Sequence, residues 1–96
     1  MDAFQKYVHH HCVYIITNVT TGRVYIGSSK DYYSRVSQHL FSLEKKCHEV
    51  DEMQQDYLRG HLFVPSLVSY HDNKTEAFAR EKQLIKQSTN SYNRNK

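Results

Sequence analysis

The sequence is poor in residues that break or crosslink a chain. Its 96 residues include three glycines, one proline and two cysteines, and it has no tryptophan. With 39% hydrophobic residues, this low glycine and proline content excludes a disordered or low-complexity chain. Cys12 and Cys47 are too few and too far apart for a disulfide framework or a thiolate zinc site, so we expect two reduced thiols.

Long apolar runs are absent as well. The longest extends from Cys12 to Ile16, far short of the roughly 20 residues of a membrane span, and residues 1–11 lack the apolar core of a signal peptide. We therefore expect a soluble intracellular protein without a membrane partner, cytoplasmic if its source is a prokaryote or a phage. Two separate cores would each be too small, so residues 1–96 predict a single domain.

Charge of one sign is scarce. Thirteen Lys and Arg against ten Asp and Glu give a net charge of +3 with neutral histidines, which is compatible with a polyanionic partner but too small to indicate one. Three of the seven histidines are consecutive, from His9 to His11. Neighbouring residues of an extended segment point to opposite faces, so we interpret this run as a solvated segment rather than a metal site.

Three segments have the composition of β-strands. Cys12 to Thr17 and Arg23 to Ser28 are rich in β-branched and aromatic residues, and the five residues between them end in Gly22, which predicts an antiparallel hairpin. Leu62 to Tyr70 predicts a third strand. Its Pro65 cannot donate to a ladder, so this strand should lie at a sheet edge or be interrupted.

Two helices are predicted between the hairpin and the third strand. The first begins after Asp31, a suitable N-cap, and runs to about Lys46. Its expected buried stripe consists of Val36, Leu40, Leu43 and Cys47. The second runs from Val50 to about Arg59, is closed by Gly60, and has a thin apolar face of Val50, Met53 and Tyr57.

A third helix should run from Asn73 to about Gln87, because Asn73 and Glu76 have the spacing of a capping box. Its apolar arc is formed by Ala77, Phe78, Leu84 and Ile85. Glu81 falls at the centre of that arc. An unpaired buried charge costs several kcal/mol, so this carboxylate must pair with a cation, bind a metal, or line a cleft. Residues 88–96 form a polar, irregular tail.

Four further residues have side chains suited to phosphate chemistry. Arg35 and His39 are one helical turn apart, and a guanidinium beside an imidazole can hold and polarise a phosphate. Tyr14 and Tyr25 are each the centre of a Val-Tyr-Ile triplet in the hairpin. Taken separately, each of these features is more often a solvated helix face or strand packing than a site.

Together these residues resemble the GIY-YIG nuclease family from Cys12 to Asn93. Val13 and Tyr14 stand at the end of the first triplet, and the second is present as Tyr-Ile-Gly at residues 25–27. Arg35 stands at the position of the family's catalytic arginine, with His39 one turn later. Glu81 matches its metal-binding glutamate and Asn93 its late asparagine. The one departure is Cys12, at the glycine position of the first triplet.

The resemblance implies an α/β (α+β) fold in which helices flank a small three-stranded antiparallel sheet. It also implies a metal-dependent DNA endonuclease, with the domain core at about residues 12–93. Glu81 would ligate one Mg²⁺ or Mn²⁺, because magnesium keeps several waters and needs few carboxylates. Arg35 would hold the non-bridging phosphate oxygens as a planar fork that lysine cannot reproduce.

The remaining implied roles concern the attacking water and the support of the site. Tyr14 would orient or deprotonate the water, which requires a nearby cation because a free phenol is a weak base at neutral pH. His39 would share the base role or relay the proton. Tyr25 would position phosphate or water and Asn93 would brace the site, although both could be architectural. His48 is a weaker candidate because it lies in the loop after the first helix, and the sequence does not determine the direction of its side chain there.

Other expectations concern the partner. The basic residues expected to contact DNA phosphates are Lys30, Arg59, Arg80, Lys82, Lys86, Arg94 and Lys96. One active site makes one nick, so double-strand cleavage would need a homodimer or two visits. The alternative is a nucleic-acid-binding module that keeps the fold but has lost catalysis, which the replacement of glycine by Cys12 favours. A structural protein unrelated to nucleic acid would require the motif match to be chance.

Overall fold

The computed structural model describes residues 11–93, which form three strands and three helices. The strands are β1 His11–Asn18, β2 Val24–Ser29 and β3 Phe63–His71, and the helices are α1 Tyr32–Glu44, α2 Asp51–Leu58 and α3 Lys74–Gln87. The sheet is antiparallel with strand order β2-β1-β3. This confirms the predicted fold class. None of the helices within these residues is long and apolar enough to cross a membrane.

The central strand β1 is buried on both faces because helices cover both sides of the sheet. On the first face, Cys12, Tyr14 and Ile16 pack against side chains of α1 and α2, among them Leu43 and Met53. On the second face, a smaller cluster is formed by Val13, Ile26 and Ala77, with partly buried side chains of α3 and β3 around it. Each face therefore has its own small core, and among the helices of residues 11–93 it is α3 that covers the second.

The hairpin and the edge strand form as the sequence predicts. The connection between β1 and β2 is closed by the Gly22 N–H, which donates to the Asn18 carbonyl, and Gly22 has a φ of 81° that favours glycine. Pro65 lies in β3 opposite Ile16. β3 pairs only with β1 within the described sheet, so the missing proline N–H leaves no ladder bond unmade there.

Both predicted N-caps are confirmed. The Asp31 carboxylate accepts the Ser34 N–H at the start of α1, and the Asn73 side chain accepts the Glu76 N–H at 2.9 Å at the start of α3. Helix α1 ends at Glu44, two residues before the predicted end, because Lys46 adopts a positive φ of 65° that no helix residue can have.

The predicted buried stripes are wrong at three apolar positions. In α1 the buried residues are Val36, His39 and Leu43, whereas Leu40 is 36% exposed. The face that meets the sheet is therefore rotated away from Leu40 and towards a histidine. In α3, Phe78 at the border of the predicted apolar arc is 46% exposed, while Ala77 is buried. Cys47, a further member of the predicted α1 stripe, is exposed as well.

The segment after α3 is more ordered than the predicted irregular tail. Ser91 forms a parallel bridge with Val24, and the Tyr92 N–H donates to the Val24 carbonyl at 2.7 Å. Tyr92 is fully buried in the first core. Residues 88–93 are therefore docked along the outer edge of β2, whereas Arg94 and Lys96 lie outside the described residues.

Candidate active site

Tyr14 and Tyr25 project from neighbouring strands onto the first face of the sheet. In the β1–β2 register, Tyr14 lies opposite Gly27, and Tyr25 lies opposite Ile16. A Cβ atom at Gly27 would stand 2.5 Å from the Tyr14 hydroxyl oxygen, far inside contact distance. The glycine of the Tyr-Ile-Gly triplet is thus required for the buried Tyr14 ring to lie across β2.

A chain of hydrogen bonds connects Tyr14 to α1 and to the loop that follows it. The Val50 N–H donates to His48 Nδ1 at 3.0 Å, so neutral His48 carries its proton on Nε2. That proton is donated to His39 Nδ1 at 2.8 Å, which leaves the His39 proton on Nε2. His39 Nε2 in turn donates to the Tyr14 hydroxyl oxygen at 2.9 Å. The direction of the chain therefore leaves the proton of Tyr14 itself free to point elsewhere.

Burial keeps both histidines neutral. It lowers the pKa of His39 to about 4, with the Arg35 charge and His48 acting in the same direction. Burial also lowers the pKa of His48. His39 was predicted on the flank of the helix stripe, but it is only 2% exposed and its ring packs against both Tyr14 and Tyr25. It is a donor to Tyr14 at neutral pH.

Arg35 and Glu81 both lie close enough to the two phenols for their charges to affect the pKa of each phenol. Burial raises the pKa of Tyr14 and of Tyr25, the negative charge of Glu81 raises both further, and the positive charge of Arg35 lowers both. Arg35 and Glu81 therefore act on the same pair of hydroxyls, although they belong to different helices. In the free protein the effect of burial exceeds that of the guanidinium, so Tyr14 is protonated.

Arg35 lies at the mouth of this region. Its guanidinium donates to Gln38 Oε1 and to Glu49 Oε1, each at 3.1 Å, and its side chain is 34% exposed. A pocket of about 290 Å³ opens beside it. The pocket is lined by Arg35, Gln38, His39, Ser42, Cys47, His48 and Glu49. An exposed ion pair such as Arg35–Glu49 is weak, so a phosphate could replace Glu49 at little cost.

Glu81 approaches from the second face of the sheet. It is half-buried, and the Ser28 hydroxyl donates to its Oε1 at 2.5 Å. No basic side chain among residues 11–93 forms an ion pair with it, and Arg80 instead donates to Gln83. Of the three possibilities that the sequence left open, the described residues therefore exclude the structural salt bridge.

The described residues fit a single-carboxylate magnesium site. Among residues 11–93 no three His, Cys, Asp or Glu side chains are grouped so that they could hold a metal ion. A cation at Glu81 would thus keep most of its ligand positions for water and substrate oxygens, which is the coordination that Mg²⁺ prefers.

Asn93 holds the backbone of β2 in place. Its Oδ1 accepts the Ile26 N–H at 2.8 Å, and its Nδ2 donates to the Ile26 carbonyl at 2.7 Å. Ile26 lies between Tyr25 and Gly27, so the amide of Asn93 supports the strand that carries the second triplet. Both functional atoms of this side chain face backbone, which favours the architectural role over direct contact with substrate.

The basic residues predicted to contact DNA do not form one group. Lys30 follows β2 directly, and Arg80, Lys82 and Lys86 are on α3. Arg59 is separate from these because it pairs with Asp56 at the end of α2. Arg94 and Lys96 lie outside the described residues.

Two residues gain importance from the structure. His48 is buried and sets the tautomer of His39, a role that only the course of the loop after α1 reveals. Cys12, at the position of the motif glycine, is fully buried in the first core, and the Tyr14–His39 bond forms in its presence. Its thiol is free, as predicted, and so is that of Cys47.

This fold and this arrangement of side chains are those of a small nuclease catalytic domain. The family model of the GIY-YIG catalytic domain matches residues 10–94, and the chain belongs to this family of endonucleases. Over 74 residues it is 34% identical to intron-associated endonuclease 1 of Enterobacteria phage T4. That match covers 76% of the chain but only 27% of the length of this relative.

Solved structures agree with the family assignment. The catalytic domain of the homing endonuclease I-TevI superposes with a TM-score of 0.80 at 30% identity, covering 90% of this chain and 99% of that one. A glutamate-to-alanine mutant of the same catalytic domain gives a TM-score of 0.72 at 29% identity, covering 81% and 82%. Both the predicted family and the predicted fold are therefore confirmed.

Proposed function

We propose that this domain hydrolyses phosphodiester bonds in DNA with the help of one divalent cation, Mg²⁺ or Mn²⁺, held by Glu81. The observation that carries the proposal is the buried Tyr14 hydroxyl, which is bonded to His39 and on which Arg35 and Glu81, from different helices, both act electrostatically. Membership of an endonuclease family supports the reaction class, and the names of the relatives support nucleic acid as the substrate.

Tyr14 is the proposed acceptor of the proton from the attacking water. Its hydroxyl oxygen accepts the His39 Nε2–H, so the phenolate form would keep this donor and gain the attraction of Arg35. A cation on Glu81 supplies positive charge where the bare carboxylate now raises the pKa of Tyr14. The surroundings of Tyr14 are thus arranged so that substrate and cation together favour the phenolate.

The proposed step is a single displacement at phosphorus. Tyr14 loses its own proton to solvent when substrate and cation bind. The water oxygen then forms the new P–O bond, the bond from phosphorus to the 3′ oxygen breaks, and the water proton passes to the Tyr14 phenolate. The departing 3′ oxygen takes a proton from solvent. Arg35 binds the non-bridging oxygens after releasing Glu49, and Tyr25 orients the phosphate through its hydroxyl. Asn93 keeps β2, and with it Tyr25, in position.

Plasmid nicking tests the proposal. Purified protein with Mg²⁺ or Mn²⁺ should convert supercoiled plasmid to the nicked form, and Glu81→Gln should lower the rate by roughly a hundredfold or more. Glutamine preserves the volume and the hydrogen bond from Ser28, so folding should be unchanged. Glu44→Gln, an equal charge change at an exposed position, is the matched control and should cut normally. Cleavage that survives Glu81→Gln would refute the assignment.

The alternative function predicts a different outcome. A domain that binds DNA but has lost catalysis should show salt-sensitive binding with no nicking under any divalent metal. Restoring the motif glycine with Cys12→Gly would then be the informative variant. Nicking by the native sequence excludes this alternative. Whether a homodimer makes the second nick is answered by measuring plasmid linearisation as a function of protein concentration.

A further inference from the structure

A second cleft opens beside Ser28, the residue whose hydroxyl donates to Glu81. It has a volume of about 380 Å³ and lies between the end of β2 and the first half of α3. It is lined by His11, Ser28, Ser29, Lys30, Lys74, Ala77 and Phe78. Ser28 both lines this cleft and donates to Glu81, so the cleft is continuous with the candidate metal ligand.

Lys74, Phe78 and Glu81 lie along one face of α3. They are spaced by four and three residues, which places them one above another on a helix. Seven residues of helix cover about 10 Å, which equals about three steps of a DNA strand at a rise of ~3.4 Å. A strand with its scissile phosphate at Glu81 would therefore reach Lys74 within about three nucleotides.

The side chains of the cleft have the chemistry of a nucleotide site. Lys30 and Lys74 supply two ammonium groups, and neither is in an ion pair with any carboxylate among residues 11–93. The Lys74 ammonium lies 5.3 Å from the centre of the Phe78 ring, and that ring is 46% exposed. An exposed ring in a cleft that two lysines also line offers stacking for a base and charge for its phosphate.

We propose that this cleft binds a nucleotide within three steps of the scissile phosphate, with its phosphate on Lys30 and Lys74 and its base stacked on Phe78. The proposal rests on the proposed function, since it assigns the path of the DNA away from the reacting centre. Such a subsite would bind the DNA strand near the scissile phosphate without sequence specificity, because stacking requires a base but not a particular base.

The charge contribution is tested by DNA binding over a series of salt concentrations. The probe is a fluorescent DNA duplex in EDTA, which prevents cleavage, and the readout is the slope of log K against log salt. Lys30→Gln with Lys74→Gln should reduce the slope by about 1 to 2. The matched control, Lys45→Gln with Lys46→Gln, removes the same charge after α1 and should change the slope far less.

The stacking contribution is tested with single-stranded probes. Phe78→Ala should weaken binding to a short oligothymidylate roughly fivefold or more, and should have no effect on an abasic strand of equal length. Phe41→Ala is the matched control, because Phe41 is also exposed and has Lys45 at 5.5 Å from its ring. Phe41→Ala should bind both strands as the native protein does.

These measurements separate the two proposals. An unchanged salt slope in the Lys30 and Lys74 variant, or an equal loss in the Lys45 and Lys46 control, would overturn the subsite. Equal effects of Phe78→Ala on the base-containing and abasic strands would do the same. Neither result affects the proposed function, which depends on metal-dependent nicking by the native protein. Circular dichroism of each variant confirms that these exposed substitutions leave the fold intact.

Discussion

Two buried polar clusters lie on the same face of β1, about 13 Å apart along the strand. The first is the chain Tyr14–His39–His48. The second joins Asn18, Asp56 and Tyr92: the Tyr92 hydroxyl donates to the Asp56 carboxylate at 2.5 Å and accepts the Asn18 amide at 2.9 Å. Both clusters are hydrogen-bonded throughout, and His39 and His48 of the first also line the pocket beside Arg35.

The clusters differ in whether every hydrogen-bonding group already has a partner within the cluster. In the second cluster the side-chain Oδ1 of Asn18 accepts the backbone N–H groups of Thr20 and Thr21, and Arg59 forms an ion pair with the Asp56 carboxylate, so the groups satisfy one another. In the first cluster the donors all point towards Tyr14, whose proton is left unused. Burial of polar side chains therefore does not identify a site by itself; a buried polar cluster whose members also line a pocket is the better indicator.

The largest expected effect is on the nicking rate, when the arginine beside each cluster, Arg35 or Arg59, is replaced by lysine. Arg35→Lys should lower the nicking rate by about a hundredfold, because a lysine cannot hold two phosphate oxygens as a planar fork. Its stability should change by less than about 0.5 kcal/mol, since the Arg35–Glu49 pair is exposed. Arg59→Lys in the second cluster is the control and should cut normally. Equal losses in both variants would erase the distinction between the clusters.

The second cluster should respond in the opposite way. Asp56→Ala leaves the buried Tyr92 hydroxyl without its acceptor, so the free energy of unfolding should fall by about 1–3 kcal/mol. Nicking per folded molecule should be nearly unchanged. Urea denaturation measures the first quantity and plasmid assays at low temperature measure the second. The exposed Asp72→Ala serves as the control, and a similar loss of stability there would contradict this account.

A methyl group at Gly27 should damage the first cluster selectively. Gly27→Ala places a Cβ against the buried Tyr14 ring, so we expect a loss of about 1–3 kcal/mol together with weaker nicking. Gly60→Ala gives a comparison at a positive φ of 90° with no neighbouring atom. It should cost about 1 kcal/mol in backbone strain and leave nicking intact. Normal nicking by Gly27→Ala would show that Tyr14 need not lie across β2.

The smallest effect is a pH dependence with two windows. The folded chain holds His39 neutral down to about pH 4, whereas the unfolded chain protonates it near 6.5, so stability should fall by roughly 1–2 kcal/mol as the pH drops through this range. Burial opposes ionisation of Asp56, but hydrogen bonds from Tyr92 and Arg59 and the charge of His61 lower its pKa. The contribution of Asp56 should thus be lost only below about pH 4.

Urea denaturation at successive pH values measures both windows. His39→Gln should reduce the fall in the upper window, the remainder being due to His48, whose pKa burial also lowers, and should leave the lower window in place. A stability profile of His39→Gln that still falls between pH 6.5 and 4 as steeply as that of the native protein would contradict the assignment of this window to His39.

Local signals predicted most of the fold because they act within a few residues. Asp31 and Asn73 cap helices through their own neighbours, and Gly22 closes the hairpin in a conformation that few other residues adopt. The predicted stripe in α1 is confirmed at Val36 and Leu43 but wrong at Leu40, because it assumed that apolar residues alone define the buried face. A buried His39 is stable only with Tyr14 and His48 as partners, and no periodicity encodes such pairing.

The candidate site residues could be predicted only through motif resemblance, and their individual roles stay predictions. Contacts between distant residues could not be predicted from the sequence pattern. The bonds among Asn18, Asp56 and Tyr92 join segments that are 38 and 36 residues apart. The orientation of His48 depends on the loop after α1, and the support of β2 by Asn93 depends on the docking of residues 88–93.

The docked segment, residues 88–93, also covers the outer edge of β2 and so prevents this edge from pairing with another molecule. The outer edge of β2 would otherwise present unpaired N–H and C=O groups, a template on which sheets of separate molecules can join. Asn90, Tyr92 and Asn93 occupy these groups at Val24 and Ile26. Residues 90–93 thus cover an edge strand that could otherwise pair with another molecule, and they also hold the strand that carries Tyr25. A recombinant protein that ends before Asn93 should therefore aggregate more readily and cut DNA less well.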